Sequence, residues 1–439
     1  MTVRLSEKTC AVLLILVLCG AAVDAQPKLP SGPPGKGRFG AYATRLRYGS
    51  DWDDPWRIGP RADVVVRFDR FGYRLVFWHG ANCVPYWMNG SGRFYSDGSV
   101  VRGDASPRWD STCRYSHARV IESSDARAVV HWRYALVSPD GKLINTDPMV
   151  NWNDWVDEFY TVYPDGVAVR RIKLYTSFPD QPVSCQQSMV LNGRGSGPQE
   201  NVRPDAVTLL NLRGQARSYS WGKSASRAFA EPSDATIQVV NLAGAKSAKP
   251  FQVVAGGMQT ALCPEARAAN GFARVGTWPV SGASDRPSHT PLTSLSWKPY
   301  ARERQSVSWM MMTGLTQDTA AGLAALARSW IAPAKLTLVS GGFESGGYDA
   351  GERAYRLACK TPGKPSVLRL KLAGSSQSPV RNPAFVIGGW GVKAAAVRVD
   401  GAASRTARCG YRRTPTTRDL VVWVPIQSAK TVTVEIRPQ

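Results

Sequence analysis

ARAVVHWRYALV at residues 126–137 and FYTVY at residues 159–163 are the stretches that decide the fold. Both are rich in the β-branched and aromatic residues that favour strands. Similar short runs precede them, and turn sequences such as Pro164-Asp165-Gly166 separate them. The pattern predicts an all-β chain with a large antiparallel sheet domain over residues 38–315. A propeller with divergent blades is the alternative.

One amphipathic helix is predicted at the end of this domain, within residues 316–334. Asp318 or Thr319 can cap it, apolar residues from Leu323 to Ile331 recur at helical spacing, and Pro333 ends it. Beyond it, short β-rich runs such as SVLRLKL (366–372) and DLVVWVPI (419–426) recur at the spacing of a sandwich. We therefore expect the helix to join the large domain to a smaller C-terminal β-sandwich over residues 335–439.

The composition is that of a globular protein with a strong positive charge. The 439 residues are 43% hydrophobic and carry 55 Lys plus Arg against 33 Asp plus Glu, a formal net charge of +22. These values exclude a disordered chain, a collagen and a multi-span membrane protein. A charge of this size indicates an acidic partner.

The N-terminus has the pattern of a secretory signal peptide. Arg4 and Lys8 precede an apolar run that is too short to span a membrane, and small residues before Gln26 suit cleavage there. We expect a signal peptide over residues 1–25, a Pro/Gly linker over residues 26–37, and a secreted or periplasmic protein. Export makes an extracellular polyanion a better partner than nucleic acid, and we expect a monomer.

Six cysteines remain after residues 1–25, and an even number in an exported chain favours disulfides. Proximity in the sequence suggests the pairs Cys83–Cys113, Cys185–Cys263 and Cys359–Cys409. Small buried thiols are the alternative.

Three of the four histidines, His79, His117 and His131, occur in strand-like segments within 53 residues. Alternation puts His117 and Arg119 on one side of their strand, and His131 and Arg133 on one side of the next. The length of the turn between the strands decides whether the two sets share a face, and the sequence leaves this open.

The following hairpin has a two-residue turn signal at Asp165-Gly166. That turn would place Tyr160 opposite Arg171, with Arg170 on the other face. A phenol beside cations is easier to ionise, although a Tyr packed on an Arg stem is an equal alternative.

These residue types suit β-elimination from a uronic acid. The reaction needs a cation to neutralise the C6 carboxylate, a base for the C5 proton and an acid for the leaving oxygen. Arg or Asn meets the first need, and His and Tyr meet the others.

Acidic residues form the competing pattern. Asp154, Asp157 and Glu158 lie close together, and Asp51, Asp53 and Asp54 form a second group. A glycoside hydrolase would use two such acids, and either group is also a candidate ligand set for a structural Ca²⁺. A solvated loop is the alternative for residues 51–54.

Four long stretches carry a family resemblance: GSDWDDPWRIGPRADVVVRFD (49–69), LVFWHGANCVPYWMN (75–89), CRYSHARVIESSDARAVVHWRYAL (113–136) and DWVDEFYTVYPDGVAVRRIKL (154–174). They resemble secreted bacterial proteins associated with polysaccharide degradation, and the nearest activity is that of polysaccharide lyases of the ulvan lyase type. The resemblance covers about residues 48–215 and extends only weakly to the C-terminal sandwich. It implies cleavage of a uronate-containing, often sulfated glycan without a redox cofactor, on a supersandwich like that of galactose mutarotase or on a propeller.

The resemblance also implies roles for particular residues. His117 and His131 would be the base and the neutralising or positioning group, Tyr160 the acid or base, and Arg171 the carboxylate clamp. The candidates for substrate binding are His79, Asn82, Arg170 and Trp155. A glycoside hydrolase and a non-catalytic glycan-binding protein remain the alternative functions.

Overall fold

The computed structural model describes residues 35–46, 61–193, 196–220, 229–244, 248–263 and 288–439. The predicted signal peptide, most of the predicted linker and the acidic group at residues 51–54 lie outside the described residues. No helix in the described ranges has the length and apolar character needed to cross a membrane.

The first eighteen strands form two large sheets. They are β1 Gly40–Thr44, β2 Asp63–Arg67, β3 Arg74–Phe77, β4 Pro85–Met88, β5 Phe94–Ser96, β6 His117–Ser123, β7 Ala128–Ala135, β8 Trp155–Val162, β9 Val167–Tyr175, β10 Gln187–Asn192, β11 Val202–Leu210, β12 Ala216–Tyr219, β13 Ile237–Leu242, β14 Lys249–Val253, β15 Gln259–Leu262, β16 Ser288–Ser296, β17 Ala301–Glu303 and β18 Ser306–Thr316. Short 3-10 turns at His79–Ala81 and Pro107–Trp109 and a short helix at Pro198–Asn201 connect some of them.

The two large sheets stack face to face. One has the strand order β1-β2-β3-β4-β5-β10-β16-β15, and the other has the order β12-β11-β13-β14-β18-β9-β8-β7-β6, with β17 paired to β18. Apolar residues of both sheets form one core; Phe77 of β3, for example, lies 5.3 Å from the ring of Tyr160 of β8. The predicted all-β supersandwich is confirmed, and the propeller alternative is wrong.

The helix Ala320–Ile331 covers part of the second large sheet. Thr319 caps it by accepting a hydrogen bond from the backbone N of Gly322, as the sequence predicted. Its apolar face, which includes Leu323 and Trp330, packs against side chains such as Val169 and Met312. These residues point away from the core between the two sheets, so the helix covers only one end of this side of the sheet.

The rest of the chain forms two five-stranded sheets, β19-β22-β30-β25-β26 and β20-β21-β24-β28-β27, and the short pair β23-β29. Their strands are β19 Lys335–Leu338, β20 Phe343–Asp349, β21 Ala354–Cys359, β22 Leu368–Ala373, β23 Val380–Arg381, β24 Ala384–Gly388, β25 Ala395–Val399, β26 Ala402–Ala403, β27 Arg408–Arg413, β28 Arg418–Trp423, β29 Gln427–Ser428 and β30 Val432–Pro438. They enclose a separate apolar core. The domain boundaries given above remain predictions.

The disulfide prediction is wrong, because the structure joins none of the described cysteines in a disulfide. Cys359 and Cys409 lie on β21 and β27, which are three strands apart in their sheet. At roughly 4.8 Å per strand their backbones are about 14 Å apart, twice the reach of a disulfide. Cys113 instead donates its thiol hydrogen to the backbone O of His79, at 3.0 Å.

Candidate active site

Strands β6, β7, β8 and β9 expose the sheet side that points away from the core, which we call the outer face. Its side chains form rows across the sheet, because the strands are in register. One row holds Arg119, His131, Phe159 and Arg171, the next holds His117, Arg133, Asp157 and Lys173, and a third holds Ala135, Trp155 and Tyr175. Cationic and aromatic groups therefore lie on one continuous surface.

The turn between β6 and β7 answers the question that the sequence left open. His117 is the register partner of Arg133, and Arg119 is the partner of His131. A bulge between Val120 and Glu122 takes up one extra residue before the turn. His117 and His131 therefore share the outer face with both arginines.

A hydrogen-bonded chain runs from Arg119 through His131 to Asp157. Arg119 donates from Nε to Nδ1 of His131 at 2.9 Å, and the other ring nitrogen of His131 lies 2.7 Å from the Asp157 carboxylate. Since Nδ1 accepts, Nε2 carries the hydrogen and donates it to Asp157. His131 is thus fixed in one tautomer, with the face of its ring stacked 4.5 Å from that of Phe159. This arrangement suits a positioning role.

The pKa of Asp157 is lowered from its ordinary value. Burial raises the pKa, but the hydrogen bond from His131 and the nearby charges of Arg133 and Arg119 outweigh burial. The carboxylate is therefore ionised at neutral pH and offsets part of the positive charge on the outer face.

His117 has a different environment. Burial and the cations Arg61, Arg119 and Arg133 lower the pKa of its imidazole to about 4. Arg61 is held nearby by a 2.9 Å hydrogen bond from its guanidinium to the backbone O of Ser116. His117 is therefore neutral at pH 7 and can accept a proton, while the surrounding arginines can bind an anion.

Aromatic rings border these charged groups. The guanidinium of Arg133 lies 5.1 Å over the ring of Trp155, and Tyr115 and Trp152 flank Trp155 at 6.1 and 6.4 Å. Trp155 and Tyr115 are half-buried, so part of each ring remains accessible. Sugar rings bind readily to such faces, and the role of Trp155 in substrate binding stays a prediction.

The predicted register of the β8–β9 hairpin is wrong by one residue. Tyr163 donates its backbone N–H to the O of Val167, so the loop contains Pro164, Asp165 and Gly166 rather than two residues. As a result Tyr160 lies opposite Arg170, and Arg171 lies opposite Phe159. A shift of one position moves a side chain to the other face of a sheet.

Tyr160 and Arg170 are consequently buried between the two large sheets, where both are 0% exposed. Arg170 contacts Glu158 with two hydrogen bonds of 2.7 Å, and the hydroxyl of Tyr160 donates to the same carboxylate at 2.9 Å. Burial raises the pKa of Tyr160 well above its ordinary value. Neither side chain reaches the outer face. The predicted roles of Tyr160 as acid or base and of Arg170 as a substrate contact are therefore wrong.

The acids of the hydrolase alternative do not share a site. Only Asp157 lies on the outer face. Glu158 faces the core, and Asp154 is fully buried with an ion pair of 2.5 Å to Arg102. A pair of acids acting on one glycosidic bond therefore cannot be formed from Asp154, Asp157 and Glu158. Among the described residues, no three His, Cys, Asp or Glu side chains gather as they would around a metal ion.

His79 and Asn82 lie at the edge of the predicted site. Both are buried, and the amide of Asn82 donates to the backbone O of Asp110 at 2.9 Å while its own backbone O accepts from the Trp132 indole. Burial lowers the pKa of His79, and Arg61, which also acts on His117, adds to the effect. The charge of Arg61 thus acts on both His79 and His117, whereas the contacts of Asn82 are with the backbone of Asp110 and the indole of Trp132.

Two residues near His117, Arg61 and Tyr115, are not among the site residues predicted from the sequence. Tyr115 precedes β6 by two residues, and the alternation seen in His117 and Arg119 extends back to it. Arg61 offers no such signal, because it belongs to a distant segment. The Ser- and Pro-rich sequence SDRPSHTP around His289 predicts a solvated loop, but His289 is buried in β16.

No protein-family model and no curated protein matches the chain. Among solved structures, it is similar to heparan sulfate lyase HepC from Pedobacter heparinus, with 9% identity and a TM-score of 0.31 over 71% of this chain and 39% of that one. It is also similar to galactose 1-epimerase from Lactobacillus acidophilus NCFM, with 8% identity and a TM-score of 0.30 over 63% of this chain and 99% of that one. The chain thus spans about two fifths of the length of the lyase. These scores are too low to assign an activity.

The Asp157 carboxylate provides a stability prediction. We expect Asp157→Asn to lower the free energy of unfolding at pH 7 by about 1–3 kcal/mol, because a charge-assisted hydrogen bond from His131 is lost. Since the folded pKa of Asp157 lies below its unfolded value, its contribution is present above about pH 4 and disappears as the pH falls through the folded pKa. Urea unfolding of the wild-type protein and of Asp157→Asn at pH 7 and pH 3 measures the difference in their free energies of unfolding.

The exposed pair of Arg38 and Asp125 offers a matched control, because its carboxylate is 52% exposed. Asp125→Asn should change stability by less than about 1 kcal/mol. If Asp157→Asn costs no more than this control, or costs equally much at pH 3, the assigned role of Asp157 is wrong.

Proposed function

We propose that the protein is a polysaccharide lyase that cleaves a uronate-containing anionic glycan on the outer face. The observation that carries the proposal is His117, a neutral imidazole with a pKa of about 4 among Arg61, Arg119 and Arg133. A base surrounded by cations is the combination that β-elimination next to a carboxylate requires.

The chemistry follows from this arrangement. The guanidinium groups of Arg119 and Arg133 bind the C6 carboxylate and stabilise the negative charge that develops on it when the C5 proton leaves. His117 takes that proton, the C4–O4 bond breaks, and a C4–C5 double bond forms. The proton on His117 can then pass to the O4 leaving group, so one side chain serves as base and acid. His131 positions Arg119, because its Nδ1 accepts a hydrogen bond from the Nε–H of Arg119.

The rows of the outer face also support a polyanionic substrate. The rows contain four cationic side chains, Arg119, Arg133, Arg171 and Lys173, but only one acid, Asp157. Glu303, outside the rows, pairs with Lys173. The net charge of +22 would raise the local concentration of such a polymer. Sulfation of the substrate and an ulvan-type backbone remain parts of the proposal that rest on the family resemblance.

The test is absorbance of the unsaturated product during incubation with ulvan, alginate, glucuronan and glycosaminoglycans. We expect an increase with at least one uronate polymer, and none with a neutral glucan. Folded protein that is silent on the whole panel would contradict the proposal. New reducing ends without unsaturation would indicate a hydrolase, and binding without either product a non-catalytic glycan-binding protein.

Export and a monomeric state are proposals that rest on the sequence. N-terminal sequencing of the protein recovered outside the cytoplasm should begin at Gln26, and light scattering should give the mass of one chain. A full-length N-terminus in the cytoplasmic fraction would contradict export.

A further inference from the structure

Arg171 differs from the other cations of the outer face. Arg133 lies 3.6 Å from the carboxylate of Asp157, and Lys173 forms an ion pair of 3.1 Å with Glu303. Among the described residues, no carboxylate comes within ion-pair distance of Arg171. Its guanidinium lies 5.1 Å over the ring of Phe159. Arg171 is thus a half-buried cation that forms no direct ion pair with a described residue.

A turn from the C-terminal sandwich reaches this side chain. The turn joins β20 to β21 and spans residues 349–353, and we call it the docking turn. A Cβ atom added at Gly351 would lie 3.4 Å from Cδ of Arg171 and 3.6 Å from its Nη1. The same Cβ position lies 3.3 Å from Oδ1 of Asp349. The docking turn therefore lies next to the Arg171 side chain and brings the Asp349 carboxylate near it.

Contacts from the linking helix and from the large domain hold the docking turn. The indole of Trp330 donates to the backbone O of Ala350 at 2.8 Å, and the hydroxyl of Tyr163 donates to the backbone O of Glu352 at 2.6 Å. The buried guanidinium of Arg127 contacts the Glu352 carboxylate at 2.9 Å. These anchors fix the height of Gly351 above the sheet.

A second set of contacts holds the end of the turn. Arg353 is buried and forms a bidentate pair with Asp165, at 3.2 and 2.8 Å. Asp165 lies in the loop between β8 and β9, the strands that carry Phe159 and Arg171. The docking turn and Arg171 are therefore attached to the same hairpin.

We propose that the docking turn of the C-terminal sandwich positions Arg171 to bind an anionic group of the substrate, with Gly351 as the positioning residue. The inference rests on the proposed function of the outer face. A guanidinium that already contacts an aromatic ring and a neighbouring turn loses little side-chain freedom when it binds an anion. The C-terminal sandwich is then a part of the binding surface rather than an independent module.

A double-mutant cycle tests the coupling of Gly351 to Arg171. We expect Arg171→Ala to weaken the affinity for size-defined heparin and polygalacturonate oligosaccharides by about tenfold, the size of one charge-assisted contact. Gly351→Val, whose methyl groups extend beyond the position of a Cβ atom, should cause several-fold weakening by displacing the guanidinium. Gly351→Ala should leave the affinity nearly unchanged, because its Cβ would make ordinary van der Waals contact with Arg171. In the Arg171→Ala background, Gly351→Val should have no further effect. Calorimetric titration measures each affinity.

Gly341→Val is the matched control, because a Cβ atom there meets no other atom within 4 Å. It should leave the affinity unchanged. Thermal unfolding of each variant separates misfolding from a local effect. Additive losses in the cycle, or an unchanged affinity in Gly351→Val, would overturn the proposal.

Phenylglyoxal labelling separates this proposal from the proposed function. The reagent modifies accessible guanidinium groups, and peptide mass mapping follows Arg171 without any glycan. Gly351→Val should change the labelling rate of Arg171 several-fold and leave that of the exposed Arg38 unchanged. An unchanged rate at Arg171 would overturn the positioning role even if the protein is a lyase. A changed rate would support it even if no glycan in the panel is cleaved.

Discussion

His117→Ala should lower kcat on a cleaved uronate polymer by about 10²- to 10⁴-fold, the contribution expected of a general base. The loss follows from the position of His117, since it is the neutral imidazole among the cations that would hold the carboxylate. Absorbance of the unsaturated product measures the rate, and titration with a size-defined oligosaccharide measures the affinity. We expect the affinity to change by less than threefold, because the arginines remain.

The pH dependence of kcat/KM is an independent test of His117 as the base. A base must be deprotonated to act, and the pKa of His117 is lowered to about 4. In wild-type protein kcat/KM should therefore rise as the pH passes through about 4 and stay level from about pH 5 to neutrality. A rise centred near 6.5, the ordinary value for His, would contradict the assigned environment.

His289→Gln is the matched control for His117→Ala. Burial also lowers the pKa of His289 to about 4, but this residue lies on β16 of the other large sheet. It should keep the wild-type kcat within a factor of two. Equal losses in both variants would show that a general effect of removing a neutral histidine, rather than proton transfer by His117, explains the result.

The outer face shows how much of the site could be predicted from the sequence. Alternation within each strand placed His117 with Arg119 and His131 with Arg133 correctly, because side chains on a strand have a strict period of two. The relation between strands depends on turns and bulges. The bulge at Ile121 has no sequence signal of its own, so whether the two pairs share a face required the structure.

The β8–β9 hairpin shows the opposite case. Asp165-Gly166 is a strong signal for a two-residue loop, but Pro164 joins the loop and makes it one residue longer. The predicted register pairs Tyr160 with Arg171. In the structure Tyr160 pairs with Arg170, and both side chains face the core. A register error of one residue thus accounts for the wrong placement of Tyr160 and Arg170, whereas Arg171 lies on the outer face.

The C-terminal sandwich was predicted from its most apolar strands. β22, with the sequence LRLKLA, alternates buried and exposed residues, and its pattern is clear. β20, with the sequence FESGGYD, has few apolar residues and is largely exposed, so it gave no strand signal. The docking turn follows β20, and its contact with Arg171 links residues 180 positions apart. Contacts of this kind cannot be read from local patterns.

Arg170→Met should lower the free energy of unfolding by about 3–5 kcal/mol, because it leaves the buried carboxylate of Glu158 without its cation. Arg170 and Glu158 are both 0% exposed. The hydroxyls of Tyr134 and Tyr160 still donate to Glu158, at 2.7 and 2.9 Å, but they cannot balance its charge. Urea unfolding followed by tryptophan fluorescence measures the loss.

The double variant Glu158→Leu/Arg170→Met separates the charge from the shape of the cluster. It removes both ions, so it should be more stable than Arg170→Met, since apolar replacement of a whole buried pair is often close to neutral. Lys173→Met is the control on the outer face of the same strand. Its ion pair with Glu303 is partly exposed, so it should contribute less than about 1 kcal/mol. The prediction fails if Arg170→Met costs no more than Lys173→Met.

The kcat of a Tyr160 variant shows whether the cluster of Glu158, Tyr160 and Arg170 stabilises the core or takes part in catalysis. Because Glu158, Tyr160 and Arg170 face the opposite sheet, Tyr160→Phe should keep kcat within about threefold while it removes one hydrogen bond from Glu158, worth about 1–3 kcal/mol of stability. A catalytic tyrosine would give the reverse result, with a large loss of kcat and little loss of stability. Phe retains the ring that packs on Phe77, so the comparison isolates the hydroxyl. Loss of turnover in this variant at unchanged stability would return Tyr160 to the site and reject the inner-face assignment.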